Sequence, residues 1–164
     1  MSSETITTAL FLITAVIAAG VLINAVYPVV YTMAGTFSSS THESDVRMRT
    51  DFKVISTVAS GNSAQVWMKN IGSERVAADE ISNWDVFFGK VGEFDRLSYG
   101  LTPGWIEVFS TDSSYDINMN GYWDPGETLK IEITLDYSLS SGDQVYFQVS
   151  LPNGVWRSKE FTPS

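Results

Sequence analysis

Residues 116–127 read DINMNGYWDPGE, and the order of their side chains is that of a cation loop. Asp116, Asn118 and Asn120 offer side-chain oxygens at positions one, three and five. Tyr122 offers its backbone carbonyl at seven, Asp124 a direct or water-mediated carboxylate at nine, and Glu127 two oxygens at twelve. This is the spacing of an EF-hand type of loop, in which Ca²⁺ takes about six to eight oxygen ligands. Gly121 stands at the sixth position, where such a loop turns sharply. The same residue types also make Asx-turns, and Pro125-Gly126 is a turn pair, so an ion-free corner is the rival reading. That rival does not explain why Glu127 falls on position twelve. Neutral Asn at two ligand positions implies weak binding, in the ~0.1–1 mM range of extracellular modules. The expected role of Ca²⁺ is structural, a rivet rather than a sensor.

Other chemistry is sparse. The chain has no Cys, which excludes disulfides, thiolate metal sites and a Cys nucleophile. His42 is its single His, which leaves no basis for a His-rich zinc site or a Ser-His-Asp triad. Glu93, Asp95, Glu107 and Asp112 invite comparison with a glycosidase carboxylate pair, but a solvated acidic face accounts for them more simply. Trp67, Trp84, Trp105, Trp123 and Trp156 are candidates for sugar stacking, although core or interface anchoring is the commoner role. No phosphate-binding loop, dinucleotide fingerprint, nucleophile elbow or Asn-x-Ser/Thr acceptor is present. With 10 basic and 19 acidic residues the net charge is −9, opposite to what nucleic acid or an anionic surface attracts. The expectation is a structural protein, not an enzyme, with no nucleic-acid partner.

The elements that must position the loop divide the chain into an apolar helix (residues 1–35), a polar neck (36–49) and an all-β domain (50–164). No Asp, Glu, Lys or Arg lies between Glu4 and His42. Inside that gap, ALFLITAVIAAGVLINAVYPVVYTMA (Ala9–Ala34) makes a helix of about 39 Å at ~1.5 Å per residue. That exceeds the ~30 Å hydrocarbon core, so the segment spans a bilayer with some tilt. Nothing basic precedes it and it is longer than a signal h-region, which favours a retained helix over a cleaved one. Ala15, Ala18 and Ala19, beside Thr14 and Gly20, form a small-residue face for close helix packing, so self-association through residues 9–34 is expected. Pro28 should kink or loosen the helix, and Asn24 is a lone polar group in the run. Lys/Arg bias does not orient the helix outward, because Arg47, Arg49 and Lys53 would favour retaining their own side.

GTFSSSTHESD (35–45) reads as a linker or a fraying helix end. Beyond Thr50 the period changes. In LKIEITLDY, Leu129, Ile131, Ile133 and Leu135 alternate with polar residues, and DQVYFQVSL repeats the pattern with Val145, Phe147, Val149 and Leu151. Further strands are expected at 52–59, 65–70, 84–88, 105–109 and 155–161, separated at SGNS, KNIGS, TPG and LPNG. About seven or eight short strands in roughly 115 residues describe an immunoglobulin-like sandwich.

The run ETITTALFLITAVIAAGVLINAVYPVVYTMAG, then SDVRMRTDFKVIS, then VWMKNIGS, resembles the archaellum proteins of archaea, in particular the archaellin-like FlaF/FlaG group. The resemblance covers the whole plan and is most specific over residues 4–56. It implies a protein of the motility apparatus, anchored in the cell membrane with its sandwich extracytoplasmic. There it would act with a FlaF-like protein and the S-layer as part of a stator, on the FlaG side of the group. A filament-forming archaellin-like subunit is the near alternative. Archaellin precursors carry a short basic leader where only Met1-Ser2-Ser3 precede Glu4, and archaellins are often glycosylated. A free-standing calcium-stabilised module for surface glycans is the alternative of a different class.

Overall fold

The computed structural model describes residues 2–109 and 114–163. They form two compact units, 1–44 and 45–164. The helix α1 runs from Ser2 to Arg49, continuing through the stretch read as a neck. Its hydroxyls are accommodated along the way: Thr32, Thr36, Ser39 and Thr41 each donate to the carbonyl four residues back, at 2.7, 2.9, 3.2 and 2.7 Å. Polar side chains bonded in this way are satisfied without breaking the main-chain ladder. Glu4 in the first turn and Arg47 and Arg49 in the last suit the helix dipole. The helix also continues across Pro28. Its apolar residues, Leu10, Phe11, Ile17, Leu22 and Tyr31 among them, are exposed, and it is long and apolar enough to cross a membrane.

The second unit begins with the last helical turn and continues as β1 (Phe52–Asn70), β2 (Val76–Ala77), a 3₁₀ turn (Ala78–Asn83), β3 (Asp85–Lys90) and β4 (Glu93–Tyr99). It then runs through β5 (Gly104–Glu107), β6 (Tyr122–Trp123), β7 (Thr128–Leu139), β8 (Val145–Ser150) and β9 (Trp156–Phe161). Seven strands hydrogen-bond in the order β1-β7-β5-β4-β3-β8-β9, and β2 pairs with β6 separately. All pairs are antiparallel except β4–β5. The sheet folds over itself as a sandwich. Arg157 of β9 donates to the Phe52 carbonyl of β1 at 3.1 Å, and Phe52 stacks on Trp84 beside β3.

The alternation of β7 and β8 is what the sequence dictates: Leu129, Ile131, Ile133 and Leu135, then Val145, Phe147 and Val149, are all buried in one core. Two features of the strands differ from expectation. SGNS does not separate two strands; it is an irregularity within β1, whose register to β7 shifts between Gly61 and Ser63. The segment β4 is a strand at the middle of the sheet order, although Leu97 is its single buried residue. Trp84, Trp105 and Trp123 are core residues at 1–2% exposure, so they do not form a sugar-stacking face. Trp67 is half-buried under the Lys130 ammonium, and Trp156 is exposed.

Candidate functional site

The loop between β5 and β7 places every expected donor. Asp116 and Glu127 are buried, which is costly for carboxylates unless hydrogen bonds compensate. Asp116 Oδ1 and Oδ2 accept the backbone N–H groups of Asn120 and Gly121 at 3.2 and 2.9 Å. Glu127 Oε1 and Oε2 accept those of Ile117 and Asp124 at 3.0 and 2.9 Å. Asn118 and Asn120 each accept an N–H two residues on, from Asn120 (3.1 Å) and Tyr122 (2.8 Å), which is the Asx-turn geometry. Their amide NH₂ groups converge on Asp124 Oδ2 at 2.8 and 2.7 Å. Gly121 has φ 76° and Met119 φ 55°, and for Met119 that left-handed backbone costs roughly 1–2 kcal/mol.

The sixth donor is also oriented. The bond from Ala78 N–H to Gly121 O (2.9 Å) makes Ala77–Tyr122 a non-hydrogen-bonded pair of the β2–β6 ladder. The Tyr122 carbonyl therefore faces away from β2. Each carboxylate oxygen that accepts one N–H keeps a second lone pair, so Asp116 and Glu127 retain acceptor capacity for a cation. Among the described residues no three His, Asp or Glu side chains stand grouped as a metal centre. A cation here would draw on the amide and backbone oxygens as well, with the two Asn side chains turning away from Asp124.

The loop is fixed to the rest of the unit by residues that spacing alone did not single out. Trp123 Nε1 donates to Glu127 O at 3.0 Å, and the Trp123 ring meets Trp84 and Phe52 at centroid distances of 5.7 and 6.0 Å. Asn70, buried at the end of β1, donates its N–H to Glu127 O (3.0 Å) and accepts from Gly126 N–H (2.8 Å). Its amide donates to Trp123 O and Glu74 O at 3.1 and 2.8 Å. Its Oδ1 accepts from Gly72 N–H at 3.0 Å. The following residues hold the end of α1: Ser73 and Glu74 donate to Arg49 O at 2.9 and 3.2 Å, and Ile71 and Gly72 donate to Asp51 O at 3.0 and 2.8 Å. VWMKNIGS thus closes the helix C-terminus and carries the cation-type loop on the same residue. The KNIGS stretch marks a turn at the strand end but carries no sign of Asn70's partners.

Glu93 and Asp95 are exposed on β4, Glu107 is buried on β5, and Asp112 lies outside the described residues.

A long apolar helix leading into a β-sandwich is the class of protein that the fold defines, and the comparisons give that class a family. The archaeal-type flagellin description matches residues 2–161, and the chain belongs to that family. An uncharacterized protein of Archaeoglobus fulgidus is 26% identical over 99% of both chains. Among solved structures, the archaellum periplasmic stator protein FlaG of Sulfolobus acidocaldarius is 25% identical with a TM-score of 0.56, covering 68% of this chain and 99% of that one. The FlaF and FlaG stator complex of the same organism matches at 25% identity and a TM-score of 0.55, covering 67% and 87%. The archaeal flagellum of Methanospirillum hungatei shares the fold at 17% identity and a TM-score of 0.56, covering 92% and 91%.

Proposed function

We propose that this protein is a FlaG-like stator component, held in the cell membrane by residues 9–34 with its sandwich outside, acting through a FlaF-like protein and the S-layer. The observation that carries this reading is the match to FlaG, which takes in nearly all of that chain at 25% identity. The FlaF–FlaG complex among the similar structures supports a FlaF-like partner. A structural role uses surfaces rather than reacting groups, and the sandwich supplies edge strands and flat faces for contacts. The filament-subunit reading has its own support: the flagellum structure covers 92% of this chain, where FlaG covers 68%. In that reading the exposed helices self-associate as a filament core.

One experiment separates the two. Full-length protein, purified without other archaellum components, is imaged by electron microscopy alone and after mixing with a FlaF-like protein. Discrete complexes that form only in the mixture are expected. Long ordered filaments of the protein alone would replace the stator reading with the filament one.

We also propose that Asp116, Asn118, Asn120, the Tyr122 carbonyl, Asp124 and Glu127 bind one structural Ca²⁺. Binding to the folded form alone stabilises it by about 1.4 kcal/mol at tenfold excess over Kd, which raises the melting temperature by roughly 4–6 °C. Magnesium substitutes poorly, because it demands a tighter octahedron and sheds water reluctantly. Glu127→Gln lowers stability without calcium too, since both its oxygens accept backbone N–H groups. The informative quantity is therefore the calcium-dependent difference, which Glu127→Gln should remove. Equal melting temperatures of the native chain in chelator and in millimolar calcium would leave the loop as a turn.

A further inference from the structure

The acidic character of the chain makes one groove unusual. Beside the last turn of α1, a cleft of about 740 Å³ is lined by Arg47, Met48, Asp51, Gly154, Trp156 and Arg157, with Thr50, Val155 and Ser158. Arg157 is already engaged, paired with Asp51 and donating to Phe52 O. Three other arginines also have partners: Arg49 with Asp45 and Glu74, Arg96 with Asp85, and Arg75 over the Tyr122 ring. Arg47 has neither an ion pair nor an aromatic partner among the described residues. Its guanidinium lies over the β8–β9 turn, 3.8 Å from where a Cβ on Gly154 would stand. With 19 acidic residues in the chain against 10 basic ones, an uncompensated guanidinium is a local inversion of sign.

Two apolar side chains accompany it. Met48 is 86% exposed and Trp156 53% exposed. Exposed Trp and Arg together are the residue types that carry most binding energy where proteins meet. We propose that this groove docks an acidic polypeptide segment of a partner protein, one with an apolar residue beside its carboxylates. The carboxylates meet Arg47, since each nitrogen of the Arg157 guanidinium already donates within the groove, to Phe52 O, Trp156 O and Asp51, and the apolar residue lies against Trp156 and Met48. Charge complementarity selects the sign of the partner, because a basic segment would be drawn to the rest of this chain's surface instead. A lipid headgroup is the weaker fit. The chain's net charge of −9 opposes an anionic membrane surface as a whole, whereas a short peptide segment meets only the groove.

The inference concerns this groove alone and does not depend on the stator or calcium readings. The test uses full-length protein in detergent micelles and a fluorescein-labelled peptide of alternating Glu and Leu, read by anisotropy. Saturable binding that weakens with salt is expected, as is its absence for a Ser-Leu peptide. Arg47→Glu should weaken it roughly tenfold or more and Trp156→Ala several-fold, while Lys69→Glu, away from the groove, leaves it unchanged. Equal affinity of all three variants, equal binding of the Ser-Leu peptide, or tighter binding to anionic phospholipid vesicles than to the acidic peptide would overturn the proposal.

Discussion

Trp123→Ala should lower the melting temperature of the full chain in detergent micelles by roughly 12–20 °C. Removing a large buried aromatic typically costs about 3–5 kcal/mol, and about 1 kcal/mol moves the midpoint of a domain this size by roughly 4 °C. Trp123 belongs to the loop by sequence but to the core by position. It is 1% exposed and touches both Trp84 and Phe52, and its indole N–H donates to Glu127 O. Few neighbours can collapse into the space, because those rings are themselves fixed on β1 and beside β3. Trp123→Phe keeps much of the ring contact and loses the hydrogen bond, so its loss should be clearly smaller. Trp156→Ala, at an exposed position, should shift the midpoint by no more than about 2 °C. A Trp123→Ala midpoint close to that of Trp156→Ala would show that the loop is not anchored through this ring.

The contrast between Trp123 and Trp156 also shows where the sequence was legible. Both sit among turn residues, and composition does not say which of them the fold covers. The strands β7 and β8 were readable because each buries alternate apolar residues against a single core, giving period two. The strand β4 was not, because EFDRLSY buries Leu97 alone; its place in the sheet comes from backbone pairing with β3 and β5. The two-residue strands β2 and β6 are shorter than any periodic pattern. SGNS carries strong turn residues, yet β1 absorbs them as a register shift, since its partner β7 continues on both sides. The helical neck was obscured by the low helix preference of Ser and Thr, whose hydroxyls are nonetheless accommodated by bonding to carbonyls four residues back. For the loop, spacing picked out residues that hydrogen-bond to one another within one turn, although no three acidic side chains among the described residues are grouped as a metal centre. It did not separate ligand from turn, because an Asn oxygen two residues before an N–H serves either use. Asn70 was invisible as a hub because its partners, Glu74, Trp123, Gly126 and Glu127, are distributed over two loops.

Gly72→Ala should destabilise the sandwich, against the usual direction of that substitution. Where the backbone permits it, Gly→Ala stabilises by roughly 0.4–1 kcal/mol, because the unfolded chain loses freedom. At Gly72 the added Cβ would stand 2.4 Å from Arg49 O and 2.5 Å from Asp51 N. Both are backbone atoms, so no side-chain rotation relieves the overlap. Relief requires the 70–74 turn to move away from the helix exit, stretching the bonds from Ser73 and Glu74 to Arg49 O and from Gly72 to Asp51 O. Overpacking of this kind costs about 1–3 kcal/mol, a fall of roughly 4–12 °C in the midpoint. Hydrogen exchange localises the effect: the Ser73 and Glu74 amides should lose protection, while amides of the β7–β8 core change only with global stability. Gly35→Ala provides the opposite sign in the same chain. Nothing lies within 4 Å of its Cβ position on α1, so that change should add helix stability and leave the sandwich midpoint where it was. If Gly72→Ala melted at or above the native temperature, the close approach between the turn and the helix exit would not hold in solution. The last turn of α1 would then be free of the sandwich, and Asn70 would connect the cation-type loop to a turn rather than to the helix.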